Sequence, residues 1–151
     1  MMMDAKRMGS IVLAEDDPDD QAITLSALGK SDWKAGLTMV ANGQELLDLL
    51  RKKGAFAGSS SARPALVLLD LNMPRKNGFE ALREIRADDK LRDLPVVVLS
   101  TSRREEDVER SFNLGCNSFV SKPSSFDEMA ALMQELVRYW FETSEIPGEA
   151  P

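Results

Sequence analysis

Several apolar runs of this chain end in residues that can do chemistry. "IVLAEDDPDD" leads from Ile11 into Glu15, Asp16 and Asp17, and "LVLLDLNMP" leads from Leu66 into Asp70. "VVVLSTS" ends on Ser100, and "SFVSKP" ends on Lys122 before Pro123, a residue that can take a cis bond. Crowded carboxylates repel and raise one another's pKa, and a hard divalent cation relieves that repulsion. With oxygen donors and no histidine in the chain, the expected ion is Mg²⁺, six-coordinate and keeping some of its water. Such an ion also binds phosphoryl oxygens, which leaves one carboxylate free to attack phosphorus. A lysine opposite neutralises phosphoryl charge, and a hydroxyl donates to a further oxygen. The set suits phosphorylation of an aspartate.

These residues need a frame that brings them together. Apolar runs alternate with helical spacing along the chain. Strands are expected at Ile11–Ala14, Leu37–Val40, Ala65–Leu69, Val96–Leu99 and Ser118–Val120. Between them, Gln21–Leu28 has an apolar stripe at Ile23, Ala27 and Leu28, with Asp19 or Asp20 near its start. Gln44–Lys53 carries Leu46, Leu47, Leu49 and Leu50, and Phe79–Ala87 carries Phe79, Leu82 and Ile85. Ser102 with Glu105, and Ser125 with Glu128, have the spacing of capping boxes that open two further helices, the last reaching about Phe141. Strands separated by helices imply parallel pairing with right-handed crossovers, hence an α/β fold with a doubly wound five-stranded sheet and helices on both faces. In the order 2-1-3-4-5, strands 1 and 3 flank the switch point, where ligands bind beyond the carboxyl ends. Glu15, Asp16, Asp70, Ser100 and Lys122 then share one rim. "KKGAFAGSSSARP" (Lys52–Pro64) is expected as an exposed loop. Residues 1–8 are expected as a flexible start, 9–141 as one domain and 142–151 as a tail.

Composition removes other functions. The chain has 151 residues, is 43% hydrophobic and carries a formal charge of −6 without a dense basic block, which argues against direct nucleic-acid binding. The lack of histidine excludes a Ser-His-Asp triad, a His-ligated zinc and a phosphohistidine donor within this chain. One cysteine, Cys116, allows no internal disulfide and suits a reducing cytoplasm. No apolar run reaches membrane-spanning length. Plainer readings exist for each residue. Asp16 and Asp17 could cap a helix, as could Asp19 and Asp20. Ser100 could be a loop donor, Lys122 a surface lysine, Phe119 ordinary core and Cys116 a small buried residue. Asn77-Gly78 reads as a turn. Helix capping, however, does not explain Asp70 at a second strand end.

Five motifs in order, "LAEDD", "LLDLNMP" with Gly78, "VVVLSTS", Phe119 and "SKP", resemble a response-regulator receiver domain of two-component signalling, over about Gly9 to Trp140. The resemblance implies Asp70 as phosphoacceptor and Glu15 with Asp16 as the acidic pair. Asp16 would be a direct metal ligand, Glu15 would act through water, and Asn72 would supply its backbone carbonyl. Ser100 would be the switch hydroxyl, Phe119 the switch aromatic and Lys122 the family's lysine. "EDDPDD", the Lys52–Pro64 stretch and "RYWFETSEIP" also resemble stand-alone receivers that partner bacterial phytochrome histidine kinases. That implies a sensor histidine kinase as donor and output through another protein, since few residues follow the last helix. Two alternatives stay open. A phosphoaspartate hydrolase of the haloacid-dehalogenase type shares the Asp, Ser and Lys, but needs an acid where Asn72 stands and has its acidic pair late in the chain. A pseudo-receiver would use the same fold for docking alone.

The last helix has two apolar stripes: Met129, Leu132, Met133, Leu136 and Trp140, and beside them Phe126, Ala130, Val137 and Phe141. Three consecutive aromatics, Tyr139, Trp140 and Phe141, cannot all point inward from one turn, so this end is expected to form a two-fold homodimer interface. The resembling phytochrome-partner receivers also dimerise here.

Overall fold

The computed structural model describes residues 9–59 and 62–147; the expected flexible start, residues 1–8, lies outside them, as does the end of the tail. Five strands, β1 (Ile11–Ala14), β2 (Leu37–Val40), β3 (Leu66–Leu69), β4 (Val96–Ser100) and β5 (Ser118–Ser121), alternate with five α-helices. These are α1 (Pro18–Gly29), α2 (Gly43–Arg51), α3 (Gly78–Ala87), α4 (Glu105–Leu114) and α5 (Phe126–Arg138). The sheet is parallel throughout, in the expected order β2-β1-β3-β4-β5.

The three central strands are apolar at nearly every position because both faces are covered. Their two-residue alternation divides the core. Ile11, Leu13, Leu66, Leu68, Val97 and Leu99 meet α1 and α5 on one side. Val12, Ala14, Val67, Leu69, Val96 and Val98 meet α2 and α3 on the other. Apolar burial of this kind is the main force holding the layers together.

Helix starts differ from the sequence reading in instructive ways. Asp17 is the N-cap of α1, accepting from the N–H groups of Asp19 (2.8 Å) and Asp20 (3.5 Å), with Pro18 just inside. The buried stripe of α1 runs through Thr24, Ala27 and Leu28, whereas Ile23 is exposed. At 100° per residue Ile23 stands a step off that stripe, and a single threonine hydroxyl is easily accommodated under a helix. Asn77-Gly78 is not a free turn. Asn77 caps α3 in a full capping box with Glu80, donor and acceptor exchanged at 3.0 and 3.2 Å. Ser102 does not cap α4, which begins at Glu105 after Arg104 with no side-chain cap. Its Oγ instead donates to Asp107 Oδ2 at 2.6 Å, and the acids Glu105, Glu106 and Asp107 meet the positive end of the helix. Ser125 caps α5 as expected, accepting from the Glu128 N–H at 3.1 Å.

The Lys52–Pro64 stretch is more than loop where it is described. Gly54–Phe56 forms a 3₁₀ turn, and Phe56 packs against the α2/α3 core. At the other end of the chain α5 runs on into a π turn at Tyr139–Thr143. Trp140 is 8% exposed and Phe141 fully buried, both within the core shared by α1 and α5, while Tyr139 is 53% exposed. The three aromatics do part company, but two of the three face inward. Phe141 stands four residues after the buried Val137 and eight after the buried Met133, so helical phase aims it at the core, and Trp140 and Phe141 stabilise the monomer and are not surface residues.

Phe141→Ala should therefore cost roughly 3–5 kcal/mol. Tyr139→Ala loses mainly its edge-to-face contact with Trp140 (centroids 5.2 Å apart) and should cost less than about 1.5 kcal/mol. Urea denaturation of the two variants checks the difference.

Candidate phosphoacceptor and metal site

Strand register builds the site. Glu15, Asp70 and Lys122 each stand one residue past a strand and extend the ladder by one bond: Glu15 N–H to Val40 O (2.9 Å), Asp70 N–H to Ala14 O (3.0 Å), Lys122 N–H to Ser100 O (2.8 Å). Their backbones are thus fixed by the sheet, and their side chains gather at its carboxyl rim. Gly78 supports this rim from below. A Cβ there would lie 2.3 Å from the Asp70 carbonyl oxygen, so the backbone carrying Asp70 can pass only because α3 opens with glycine.

Carboxylate oxygens of Glu15, Asp16 and Asp70 lie within 4.8 Å of one another. Glu15 and Asp70 are buried, and Asp16 is open to solvent. The Glu15 carboxylate receives the Lys122 ammonium on Oε1 and the Asp17 N–H on Oε2 (3.2 Å). Asp70 Oδ1 accepts from the Leu71 N–H at 2.9 Å and lies 3.9 Å from Lys122 Nζ. Lys122 reaches Glu15 and Asp70 of this cluster but leaves its negative charge in surplus, and an oxygen-only donor set of that kind fits a hard divalent cation. Burial foremost, against the pull of Lys122 and with the charge of Glu15 adding to it, pushes Asp70 up to about 6 from 3.8. Burial works against the charge of Lys122, but the Glu15 hydrogen bond and the charges of Asp70, Glu15 and Asp20 outweigh it and hold the ammonium firmly protonated.

The other expected residues fall at the same rim. Ser100 is the last residue of β4, fully buried, and its Oγ accepts from the Ser102 N–H at 3.1 Å. Asn72 is exposed on the loop two residues beyond Asp70. Phe119 is half-buried against the α2/α3 core. Pro123 follows a trans bond, as do all described residues. Cys116 is buried and unpaired, as expected. Asp20, from its sequence only a possible helix cap, also belongs to this neighbourhood. Asp20 Oδ2 lies 3.2 Å from Lys122 Nζ. The signal was helical phase: Asp20 stands four residues before Thr24, on the stripe that faces the sheet.

Similarity to known proteins agrees with this geometry. The model of the response regulator receiver domain matches residues 11–134. The chain belongs to the response-regulator receiver family. This receiver is 34% identical over 138 residues to the response regulator Rcp1 of Synechocystis, covering 91% of this chain and 92% of that one. Among solved structures it resembles the phosphorylated cyanobacterial phytochrome response regulator RcpA, with a TM-score of 0.86, 36% identity and coverage of 93% and 99%. The Mn²⁺-bound form of Rcp1 gives 0.83, 34%, and 93% and 99%. The receiver is thus a two-component signalling module similar to phytochrome response regulators, and the hydrolase alternative falls away. Receivers hold a divalent metal in their acidic pocket, which the Glu15, Asp16 and Asp70 cluster matches. No described helix is long and apolar enough to cross a membrane.

A carboxyl whose pKa is raised in the folded state makes that state bind more protons between the two values. Stability contributed by Asp70 is then complete below about 3.8 and falls as pH rises through about 6. In metal-free protein, Asp70→Asn should gain stability over wild type across this window, by on the order of 2–3 kcal/mol at neutral pH. Urea midpoints of both proteins in chelator, measured from pH 4 to 7.5, check this.

Proposed function

We propose that Asp70 accepts a phosphoryl group from the phosphohistidine of a sensor histidine kinase, of the phytochrome type. One observation carries the reading: Asp70 is the buried acid at the rim, held by the sheet, with Lys122 3.9 Å from its Oδ1 and Glu15 and Asp16 beside it. Mg²⁺, held by Asp16, Asp70 and the Asn72 carbonyl and by Glu15 through water, would supply positive charge for the phosphoryl oxygens. An Asp70 oxygen forms the new bond to phosphorus as the bond to the imidazole nitrogen breaks. Lys122 shifts from its resting contacts with Glu15 and Asp20 toward the transferred group and neutralises it. No substrate is turned over beyond this, except for self-phosphorylation by small donors and loss of the group to water. The single cysteine and the kinase partner suit action in the cytoplasm, without nucleic acid or membrane.

The response follows from hydrogen bonds around Ser100. At rest, Ser100 Oγ accepts from the Ser102 N–H, while Ser102 Oγ accepts from the Arg104 N–H (3.3 Å) and donates to Asp107 in the first turn of α4. When the Ser100 hydroxyl turns to a phosphoryl oxygen, the first of these contacts is lost and the start of α4 is released. The far end of α4 cannot follow. Arg86 clamps it, donating to the carbonyls of Gly115 (2.7 Å), Arg92 (3.0 Å) and Leu94 (2.7 Å) and to Asn117 Oδ1 (3.0 Å). Phe119 moves inward as Ser100 leaves its place, and the surface of α4, β5 and α5 carries the change.

Asp70→Asn should take up no phosphate from acetyl phosphate. Ser100→Ala should take it up, yet amide exchange at Glu105–Asp107 should no longer respond. Stoichiometric phosphate on the Asn variant would refute the assignment, and a wild-type chain that takes up none would favour the docking-only alternative.

We also propose a two-fold homodimer through α5 and the following tail, 142–151. Support comes from Tyr139 at one end of the helix and Phe126, 40% exposed, at the other. With Trp140 and Phe141 in the core, Tyr139 is the aromatic at that end left to meet a partner. Sedimentation velocity at high micromolar concentration should show a wild-type dimer and a Tyr139→Glu, Phe126→Glu monomer that still accepts phosphate.

A further inference from the structure

Asp20 has no place in the acid cluster, yet its carboxylate touches the site. It stands in the first turn of α1, where Asp17 already provides the cap and where the Asp20 N–H is one of the groups capped. Its side chain reaches Lys122 Nζ at 3.2 Å, shorter than the 3.9 Å from Nζ to Asp70. The Lys122 side chain is 8% exposed and that of Asp20 39%, so Asp20 forms the solvent side of the ammonium's cage. Glu15 grips the same ammonium from the inside. Two acids of the β1–α1 segment thus hold Lys122 against the one acid it must serve.

We infer that Asp20 is a positioning residue that holds Lys122 back from Asp70 in the resting protein and so sets how tightly the site takes a phosphoryl group. The inference rests on the phosphoacceptor reading above. An ammonium can direct its three N–H bonds at several acceptors, but each partner it keeps fixes its position. To meet a group on Asp70 it must give up part of its contact with Asp20. That contact is partly open to solvent, so its loss is modest and reversible, which suits a restraint more than a lock. The helix-start reading of Asp20, an acid favoured by the helix dipole, applies equally to Asp19 in the same turn. Asp19 therefore serves as the control of equal charge.

The probe is beryllofluoride, a phosphoryl mimic, titrated with Mg²⁺ saturating and followed by ¹⁹F NMR. Asp20→Asn should bind it about three- to fivefold more tightly than wild type. Asp20→Ser should do the same, Asp20→Glu should return to the wild-type value, and Asp19→Asn should stay near it. Equal tightening in Asp19→Asn would mean a general charge effect and overturn the inference. Unchanged or weaker binding in both Asp20→Asn and Asp20→Ser would also overturn it. A wild-type protein that binds no beryllofluoride and takes up no phosphate would instead defeat the phosphoacceptor reading itself.

Discussion

Burying two carboxylates beside one ammonium is the constraint around which this protein is arranged. Ions are costly to remove from water unless each finds partners of fixed geometry. Glu15 and Lys122 pair with each other, and each also holds backbone in place: Glu15 receives an N–H at the start of α1, and Lys122 continues the β5 ladder. Asp70 is left with one backbone N–H and a more distant lysine. Burial foremost raises its pKa, and these two partners do not offset it. An acid already satisfied would have little to gain from a cation, or from the proposed phosphorylation that turns the carboxylate into an acyl phosphate. The apolar sheet provides the rigidity, since its ladder fixes the site's backbones before any side chain is placed.

The surroundings divide into parts that hold and parts that can yield. Gly78 and the Asn77–Glu80 box fix the loop after Asp70 from the α3 side. Arg86 ties the end of α4 to the loop before β4 and to the start of β5. Asn117 Oδ1 also accepts from the Val96 N–H at 2.8 Å, so the clamp reaches into the sheet. By contrast, the start of α4 has no side-chain cap and depends on Ser102 and Asp107. A helix held at one end and lightly restrained at the other turns a small local change into a directed one. Arg110 over the Phe79 ring, 4.0 Å from its centroid, is a further soft contact between α4 and α3.

Most of the fold was legible in the residues. The central strands β1, β3 and β4 were right within a residue because unbroken apolar runs of four or five, set between helical patterns, leave few alternatives to central parallel strands. The strand-end residues then had to meet at one rim, since parallel strands in this order end together. The errors fell where a local pattern has more than one solution. Ser102 with Glu105 has the spacing of a capping box, but the serine is drawn instead to Asp107 and to the Ser100 loop. Asn77-Gly78 suits a turn or a helix start; Glu80 three residues on completes the box that makes it a helix start, and the close pass of the Asp70 backbone is why the first helical residue is a glycine.

By itself, the sequence determined the α/β class, the absence of histidine chemistry and the strand-end set Glu15, Asp16, Asp70, Ser100 and Lys122. These follow from residue type and period, which are properties of the chain alone. Tertiary structure decided the rest: that Trp140 and Phe141 are core and Tyr139 is surface, that Lys122 rests on Glu15, and that Asp20 reaches the same ammonium. The reason is physical. Which side of a helix is buried, and which of several acids a lysine meets, depends on helix rotation and on contacts between residues about a hundred positions apart. Local spacing narrows those choices, and packing against the sheet makes them.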